Sequence, residues 1–451
     1  MSIESQVEII SCNTDNEAIC AGAARISTTE GNALYIFEKS KSSTKNSDLI
    51  KKVLQSGHKS FIEHAVFTIA FKDVSAYVEQ FFIECRLASF TIKSRRYVDF
   101  SNLGYYIPND LSSNELSHYC LYMDVLFSAY QKMLAQGIPR EDARFLLPYS
   151  FYSNFYCTIN ARELAQVIRA IKHGRGREIP ELQNLANQLI TQIKKLFPAI
   201  LLEFECIPEQ HSINAPIYDS ISLRDEPTFI ESEDIGLVEL ISSPQHPYET
   251  LAAAYKISCQ PSTRPFEIDL LVKSERPREL EQLSYSFLIS NITLSGTTHI
   301  VRHRMQSVII PPIQSVNHSK YIIPDTIKND PVSYNNYIDI LTSTYSMIVQ
   351  QKDNSTFRKY RYYYALSANV MDIMTTLNAR ELMHFIRLRA CNRAQWEIRD
   401  ISIKMLNQLR ASFPELFGKL GPNCYIGGHC PEGKMTCGRM NEVISQFQYR
   451  R

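Results

Sequence analysis

No apolar run in the chain reaches the ~18 residues needed to cross a bilayer. The opening stretch MSIESQVEIISCNTDNEA carries neither the basic start nor the apolar core of a secretory leader, so a cytoplasmic protein is expected. Charge of one sign is missing as well. Lys and Arg number 48 against 47 Asp and Glu, a formal net charge of +1. That balance argues against a polybasic nucleic-acid binder and against an acidic tail, and any anionic ligand has to be met by local cations. Tryptophan occurs once, and the eleven cysteines are scattered and odd in number. Without a leader they read as reduced thiols rather than a disulfide framework.

At 451 residues the length predicts two or three domains of ~150 to 200 residues each. What is present in place of the missing features is a repeat. VEIISCNTDNEAICAGAARIS (Val7 to Ser27) returns as VELISSPQHPYETLAAAYKIS (Val238 to Ser258), a shift of 258 − 27 = 231. Further on, His64 aligns with Gln282, Arg86 with Arg304, and Asn160-Ala-Arg-Glu163 with Asn378-Ala-Arg-Glu381, all at a shift of 282 − 64 = 218. One deletion in a loop accounts for the change of shift.

Each copy predicts the same elements. Ala65 to Phe71 alternates as a half-buried strand and Val74 to Arg86 reads as a helix; Ser284 to Ile292 and Thr297 to Arg304 repeat them. Asn160 and Asn378, each followed three residues later by glutamate, read as helix caps. Leu182, Leu185, Leu189, Ile193 and Leu196 share one helical face, as do Ile398, Ile401, Met405 and Leu409. Strands early and long helices late predict an α+β fold made of two tandem copies. The expected boundaries are residues 1–215 for the first domain, 216–235 for a linker rich in prolines and acids, 236–423 for the second domain, and 424–451 for a Cys- and Gly-rich tail.

Three local signals carry chemistry. Arg302-His303-Arg304 stands at the end of a predicted helix, where cations are favoured in any case. Leu388 to Ile398 (LRACNRAQWEI) holds the single tryptophan among polar groups and reads otherwise as an amphipathic, salt-bridged helix. Ser94-Arg95-Arg96-Tyr97 reads otherwise as a solvated basic turn.

In order and spacing these segments resemble the flavin-dependent thymidylate synthases. That family is marked by Arg-His-Arg, two residues, Ser, four residues, Ser, one residue, Arg-Tyr, with a Glu-His pair before it and Asn-x-Arg and Leu-Arg-x4-Ala-Gln-Trp-Glu-Ile after it. Copy one keeps Glu63-His64, Arg86-Leu-Ala-Ser89, Ser94 to Tyr97, the Pro139 to Arg144 run and Asn160-Ala-Arg162. Copy two keeps Arg302 to Arg304, Ser307, Asn378-Ala-Arg380 and the Leu388 to Ile398 segment. The departures are complementary. Copy one has Glu84-Cys85 for Arg-His, Thr91-Ile92 for Asn-Glu, and Ile171 at an arginine position. Copy two has Gln282 for His, and Pro312, Gln314 and Ser315 for the serine, arginine and tyrosine.

The resemblance implies an antiparallel sheet with long helices and a site built across an interface, gripping dUMP. It implies one composite site here, with Ser94, Arg302 and Arg389 catalytic and Ser94, Arg95, Arg96, Arg302 and Arg389 holding the nucleotide. His64, Arg302, His303, Arg304, Asn378 and Arg380 are implied contacts of FAD, with NADPH and methylenetetrahydrofolate as co-substrates. Asn160 and Asn378 stay readable as plain caps. A homodimer of fused chains would equal the family tetramer, and no nucleic-acid or membrane partner is expected. Related flavin and folate chemistry on another pyrimidine nucleotide (methyl or hydroxymethyl transfer), or a decayed nucleotide- or flavin-binding protein, are the alternatives. Cys424, His429, Cys430 and Cys437 in the tail are four soft ligands close enough in sequence to be weak candidates for zinc, but they lack the paired spacing of structural zinc sites, so no metal is the leading expectation there.

Overall fold

The computed structural model describes residues 4–205, 226–259 and 265–448. Residues 216–225 of the expected linker lie outside them. The chain divides into two compact units, one of Met1–Ile221 with Gln350–Tyr364 and one of Ser222–Val349 with Ala365–Arg451.

In the first unit β1 (Gln6–Cys12), β2 (Val66–Ser75), β3 (Ala88–Ile92) and β4 (Tyr152–Asn160) form an antiparallel sheet of order β1-β2-β4-β3. The period of two drives it: Phe67, Ile69 and Phe71 are buried while Val66 and Lys72 face water. Phe71 stacks on Phe155 of the neighbouring strand, with ring centroids 4.2 Å apart. In the second unit β6 (Leu237–Ser242), β7 (Ser284–Thr293), β8 (Gln306–Ile309) and β10 (Val370–Asn378) repeat the order as β6-β7-β10-β8. The later part of the expected linker is ordered there: β5 (Thr228–Ile230) pairs in parallel with β9 (Lys320–Ile322).

The repeat is visible in atomic detail. Asp73 and Asn291, 218 residues apart (291 − 73), both adopt the left-handed conformation, with φ of 49° and 53°. Each backbone N–H there is met by the side chain of the facing strand, Asn154 at 3.1 Å and Asp372 at 2.9 Å. Asparagine and aspartate tolerate this conformation better than other non-glycine residues. Across the central strands Thr68 pairs with Thr158, and Ser286 with Thr376, through their hydroxyls.

Each sheet is covered by a helix after its last strand, Ala161–Lys172 and Ala379–Arg389, and by a longer one, Pro180–Leu196 and Trp396–Ser412. Asn160 and Asn378 cap the shorter helices, each accepting from the N–H of the glutamate three residues on at 2.9 Å. The buried face of each longer helix is the expected one, save for Leu196, which is 40% exposed. The helix ends there and Phe197 takes the buried place. Burying each such apolar side chain contributes about 1.5–3 kcal/mol. The longer helices also grip the edge strands by amides: Gln192 bonds Ile9 N–H and Val7 C=O, and Gln408 bonds Leu240 N–H and Val238 C=O.

Two expected helices start and stop differently. In place of Val74 to Arg86 the helix spans Ala76–Ile83, because β2 runs on to Ser75, whose hydroxyl caps the helix from Val78 N–H. In place of Thr297 to Arg304 it spans Leu294–Ile300, capped by Thr293. Arg302 to Arg304 therefore lie beyond the helix, in the turn that leads into β8. No helix among the described residues is long and apolar enough to cross a membrane.

Replacing Asn160 with Ala should lower stability by about 1 kcal/mol in urea unfolding. A curve identical to that of the parent would sink the cap assignment.

Candidate functional site

The expected site residues fall into two clusters, one in each unit. In the first unit Ser94 to Tyr97 forms a tight turn after β3. The Ser94 carbonyl accepts from Val98 N–H at 2.9 Å and from Tyr97 N–H at 3.3 Å, and the Ser94 hydroxyl accepts from Arg96 N–H at 3.3 Å. This is not the solvated basic turn that composition suggests. Arg95 is 6% exposed, ion-paired with Glu79 and lying over the Phe151 ring at 5.0 Å. Glu79 also accepts from the Ser153 hydroxyl. The Arg95 guanidinium is thus committed to the interior, where it pins the turn. Arg96 is half-buried and its Nε pairs with Glu141, whose backbone carbonyl accepts from Arg144 Nε at 2.9 Å.

The remaining family positions of copy one have taken other partners. Glu84, standing where copy two has Arg302 (302 − 84 = 218), pairs with Arg175. Ile171 is fully buried in the core. Burial pushes the Cys85 thiol up to about 12, with Glu163 adding to the shift, so it stays protonated near neutrality. Ile92 ends β3, paired with Phe155. His64 is exposed at the end of the short turn Ser60–His64, and its neighbour Glu63 pairs with Arg162 at 2.6 Å.

In the second unit Arg302 and Arg304 are exposed while His303 between them is 5% exposed. The imidazole lies between two charges: Nδ1 meets Glu381 at 3.0 Å and Nε2 meets Arg389 Nε at 3.0 Å. Burial lowers the His303 pKa, Glu381 raises it, and Arg389 and His384 add to the lowering; the net direction is down. Arg389 is half-buried at the last position of its helix. The segment after it is not one amphipathic helix, because a second helix begins at Trp396, capped by Gln395. Arg380 pairs with Glu281 at 2.5 Å, the same pairing as Arg162 with Glu63, 218 residues on. Asn378 uses its side-chain oxygen as the helix cap.

Gln314 lies in a short turn, Ile313–Ser315, which Pro312 precedes, and Pro312 is exposed. In the tail, Cys424 is buried and lines a cavity of about 20 Å³ with Cys391 and Cys430, while His429 Nδ1 turns to Gly427 C=O at 2.9 Å. Among the described residues no group of three or more His, Cys, Asp or Glu side chains is placed to hold a metal ion.

The structure thus adds Glu79, Glu141 and Glu381 as partners of the arginines and the histidine. Glu141 and Glu381 lie inside motifs legible in the sequence, but Glu381 reads there as a capping residue. Glu79 carries no local signal, since its burial depends on a partner sixteen residues away.

The family model of the thymidylate synthase complementing protein matches the chain twice, over residues 8–199 and 239–415. Flavin-dependent thymidylate synthases from Clostridium tetani and Pyrococcus furiosus are each 31% identical to the chain, over 195 and 218 residues. The alignments cover 39% and 43% of this chain and 78% and 89% of those relatives. A solved UMP/dUMP methylase, PolB from Streptomyces cacaoi bound with 5-Br dUMP, is 24% identical with a TM-score of 0.36, covering 45% of this chain and 96% of its own. That likeness is too slight to carry an argument.

The lowered pKa of His303 has a signed consequence. The folded state binds its proton less tightly than the unfolded chain, in which histidine titrates near the ordinary value of 6.5. Stability from this group is therefore full above that value and falls as pH drops toward the folded pKa. In urea unfolding between pH 7 and pH 5, His303→Gln should lose less stability on acidification than the parent. Parallel curves would refute the assignment.

Proposed function

The chain belongs to the family of the thymidylate synthase complementing protein, and on that premise we propose that it is a thymidylate synthase, converting dUMP to dTMP. FAD would be its cofactor, with methylenetetrahydrofolate as carbon donor and NADPH as reductant. What carries this reading is complementary retention. Copy two keeps Arg302, His303 and Arg389, and copy one keeps Ser94 and Arg96. The matching positions are Glu84, Cys85 and Ile171 in copy one and Pro312 and Gln314 in copy two. One composite site, drawing on groups from both copies, is served by what remains.

The residue types fit the chemistry. A nucleotide monophosphate brings about two negative charges, which arginine meets with fixed, bidentate donors. C5 of the uracil ring turns nucleophilic only when electron density is driven toward it, and cationic donors near the ring carbonyl oxygens stabilise the charge that develops there. Arg302 and Arg389 are assigned that work, with Ser94 and Arg96 gripping the nucleotide.

The donor set also suits a flavin dinucleotide. Arg302 and Arg304 are both exposed, with the His303 ring between them buried, and guanidinium is the donor type that suits an anionic group such as a pyrophosphate. We assign Arg302, His303, Arg304, Asn378, Arg380 and His64 to it. A bound flavin would supply the reducing equivalents for the methylene carbon. By family analogy two fused chains form a homodimer, to be checked by light scattering; a monomer would remove that assignment.

Ile92 favours the rival reading of a decayed nucleotide- or flavin-binding protein, since it places an apolar side chain at the end of β3 where an acid is expected. Purified protein should be yellow and should bleach with NADPH faster when dUMP is present. A colourless protein that takes up no FAD overturns the flavin enzyme, and one that binds flavin but never bleaches supports the decayed form. Arg96→Ala and Arg389→Ala should each abolish dUMP binding in calorimetry. Lys172→Ala, which removes a cation of copy one whose Nζ donates to Asn187 Oδ1 at 2.8 Å, should leave it unchanged. Equal loss in all three variants overturns the one-site reading.

A further inference from the structure

A chain of two hydrogen bonds inside the second unit has no counterpart in the first. Arg389 Nε–H is a donor and never an acceptor, so His303 Nε2, 3.0 Å away, has to present its lone pair. A neutral imidazole then carries its single proton on Nδ1, which donates to Glu381 Oε1 at 3.0 Å. Glu381 is itself anchored, its backbone N–H bonded to the cap Asn378 at 2.9 Å. The ring is also packed edge-on, with Phe385 at 4.8 Å and His384 at 6.0 Å between centroids. The side chains of His303 and Glu381 are 4% and 12% exposed, so water competes little for either bond.

At the same positions of copy one, 218 residues earlier in each case, stand Glu163, Cys85 and Ile171. The glutamate survives without a histidine to orient, and its neighbouring charges are Arg86, Arg162 and Glu63. Its presence there is explained by its place in the first turn of the capped helix. In copy two the same side chain has a second job.

We propose that Glu381 is a positioning residue for the nucleotide: by fixing His303 with its proton on Nδ1, it makes Nε2 the acceptor that holds the Arg389 guanidinium in its binding orientation. A carboxylate behind a histidine sets which nitrogen is protonated and how the ring is turned. The inference rests on the reading of Arg389 as a nucleotide ligand. Without the carboxylate, the proton is free to move to Nε2, which would then face the Arg389 N–H as a second donor and push the arginine away.

The test uses the full chain and four variants: Glu381→Ala, Glu381→Gln, Glu163→Ala and Arg389→Ala. Nitrogen-15 NMR of the histidine rings should show His303 protonated at Nδ1 in the parent and redistributed toward Nε2 in Glu381→Ala. Binding of dUMP should weaken about tenfold in Glu381→Ala, the worth of one buried charge-assisted hydrogen bond, and because Arg389 also faces the charge that develops on the ring, kcat should fall together with the rise in KM for dUMP. Gln, whose amide oxygen accepts the same bond, should recover most of both signals. Glu163→Ala makes the same change at the same helix position in copy one and should leave dUMP binding unchanged. An Nδ1-protonated His303 in Glu381→Ala, or equal losses in Glu381→Ala and Glu163→Ala, overturns the positioning role and leaves only a helix-cap effect. If Arg389→Ala binds dUMP as the parent does, the reading of Arg389 fails instead, while the NMR result still decides whether Glu381 sets the tautomer.

Discussion

One contact made twice holds each unit together: a buried carboxylate at the start of the long helix that grips the end of the central strand. Glu181 accepts from the backbone N–H of Ser75 at 2.8 Å and from its hydroxyl at 2.5 Å, and Glu397 accepts from the N–H and hydroxyl of Thr293 at 2.7 and 2.6 Å. Those hydroxyls also cap the short helices that begin there. A carboxylate fully withdrawn from water is tolerated only with such a set of donors, and for Glu181 burial still raises the pKa above the ordinary carboxylate value. Strand end, helix cap and long helix are therefore one junction. The turns at Ser94 and Arg302 both lie beyond the short helices this junction starts.

With a common frame secured, the two copies were able to diverge at the loops without losing the fold. Each loss is matched by a local repair. Glu84 has gained Arg175, Cys85 rests protonated because burial and the nearby Glu163 push its thiol up, and Ile171 adds to the core that an arginine would have interrupted. In copy two Pro312 and Ile313 stiffen and bury part of a turn that in copy one is pinned by a buried arginine. Glu79 and Arg95 stand together in copy one, and their matches in copy two, Thr297 and Ile313, are both uncharged, as expected if a buried ion pair is kept or discarded whole.

Much of this is legible in the sequence because it is local. The alternation around Phe67 to Phe71, the caps at Asn160 and Asn378 and the apolar faces at Leu182 and Ile398 each depend on residues within a turn or two. The 218-residue register is legible because both copies kept the same caps and the same paired glutamates and arginines, Glu63 with Arg162 and Glu281 with Arg380. What is not legible is partnership over distance. Arg95 reads as a surface cation until Glu79 is seen beneath it, and Glu381 reads as a capping residue until His303 is folded onto it. The helix ends are hidden for a simpler reason: Ser75 and Thr293 look like strand residues and act as caps, so the apolar pattern runs across a boundary it does not mark.

The helix Ser355–Tyr364 belongs to the first unit although it is encoded within the second copy. Tyr363 donates its hydroxyl to Glu181 at 2.7 Å, across 182 residues of chain, and the Tyr122 hydroxyl reaches the Tyr364 carbonyl at 3.0 Å. During synthesis the ribosome releases all of copy one well before that helix exists. At roughly 5–20 residues per second, Glu181 waits roughly 10 to 40 s for its last donor. The amino-terminal unit thus cannot finish folding in order of translation, and a gene cut at the repeat boundary would give a first half lacking one of its own helices.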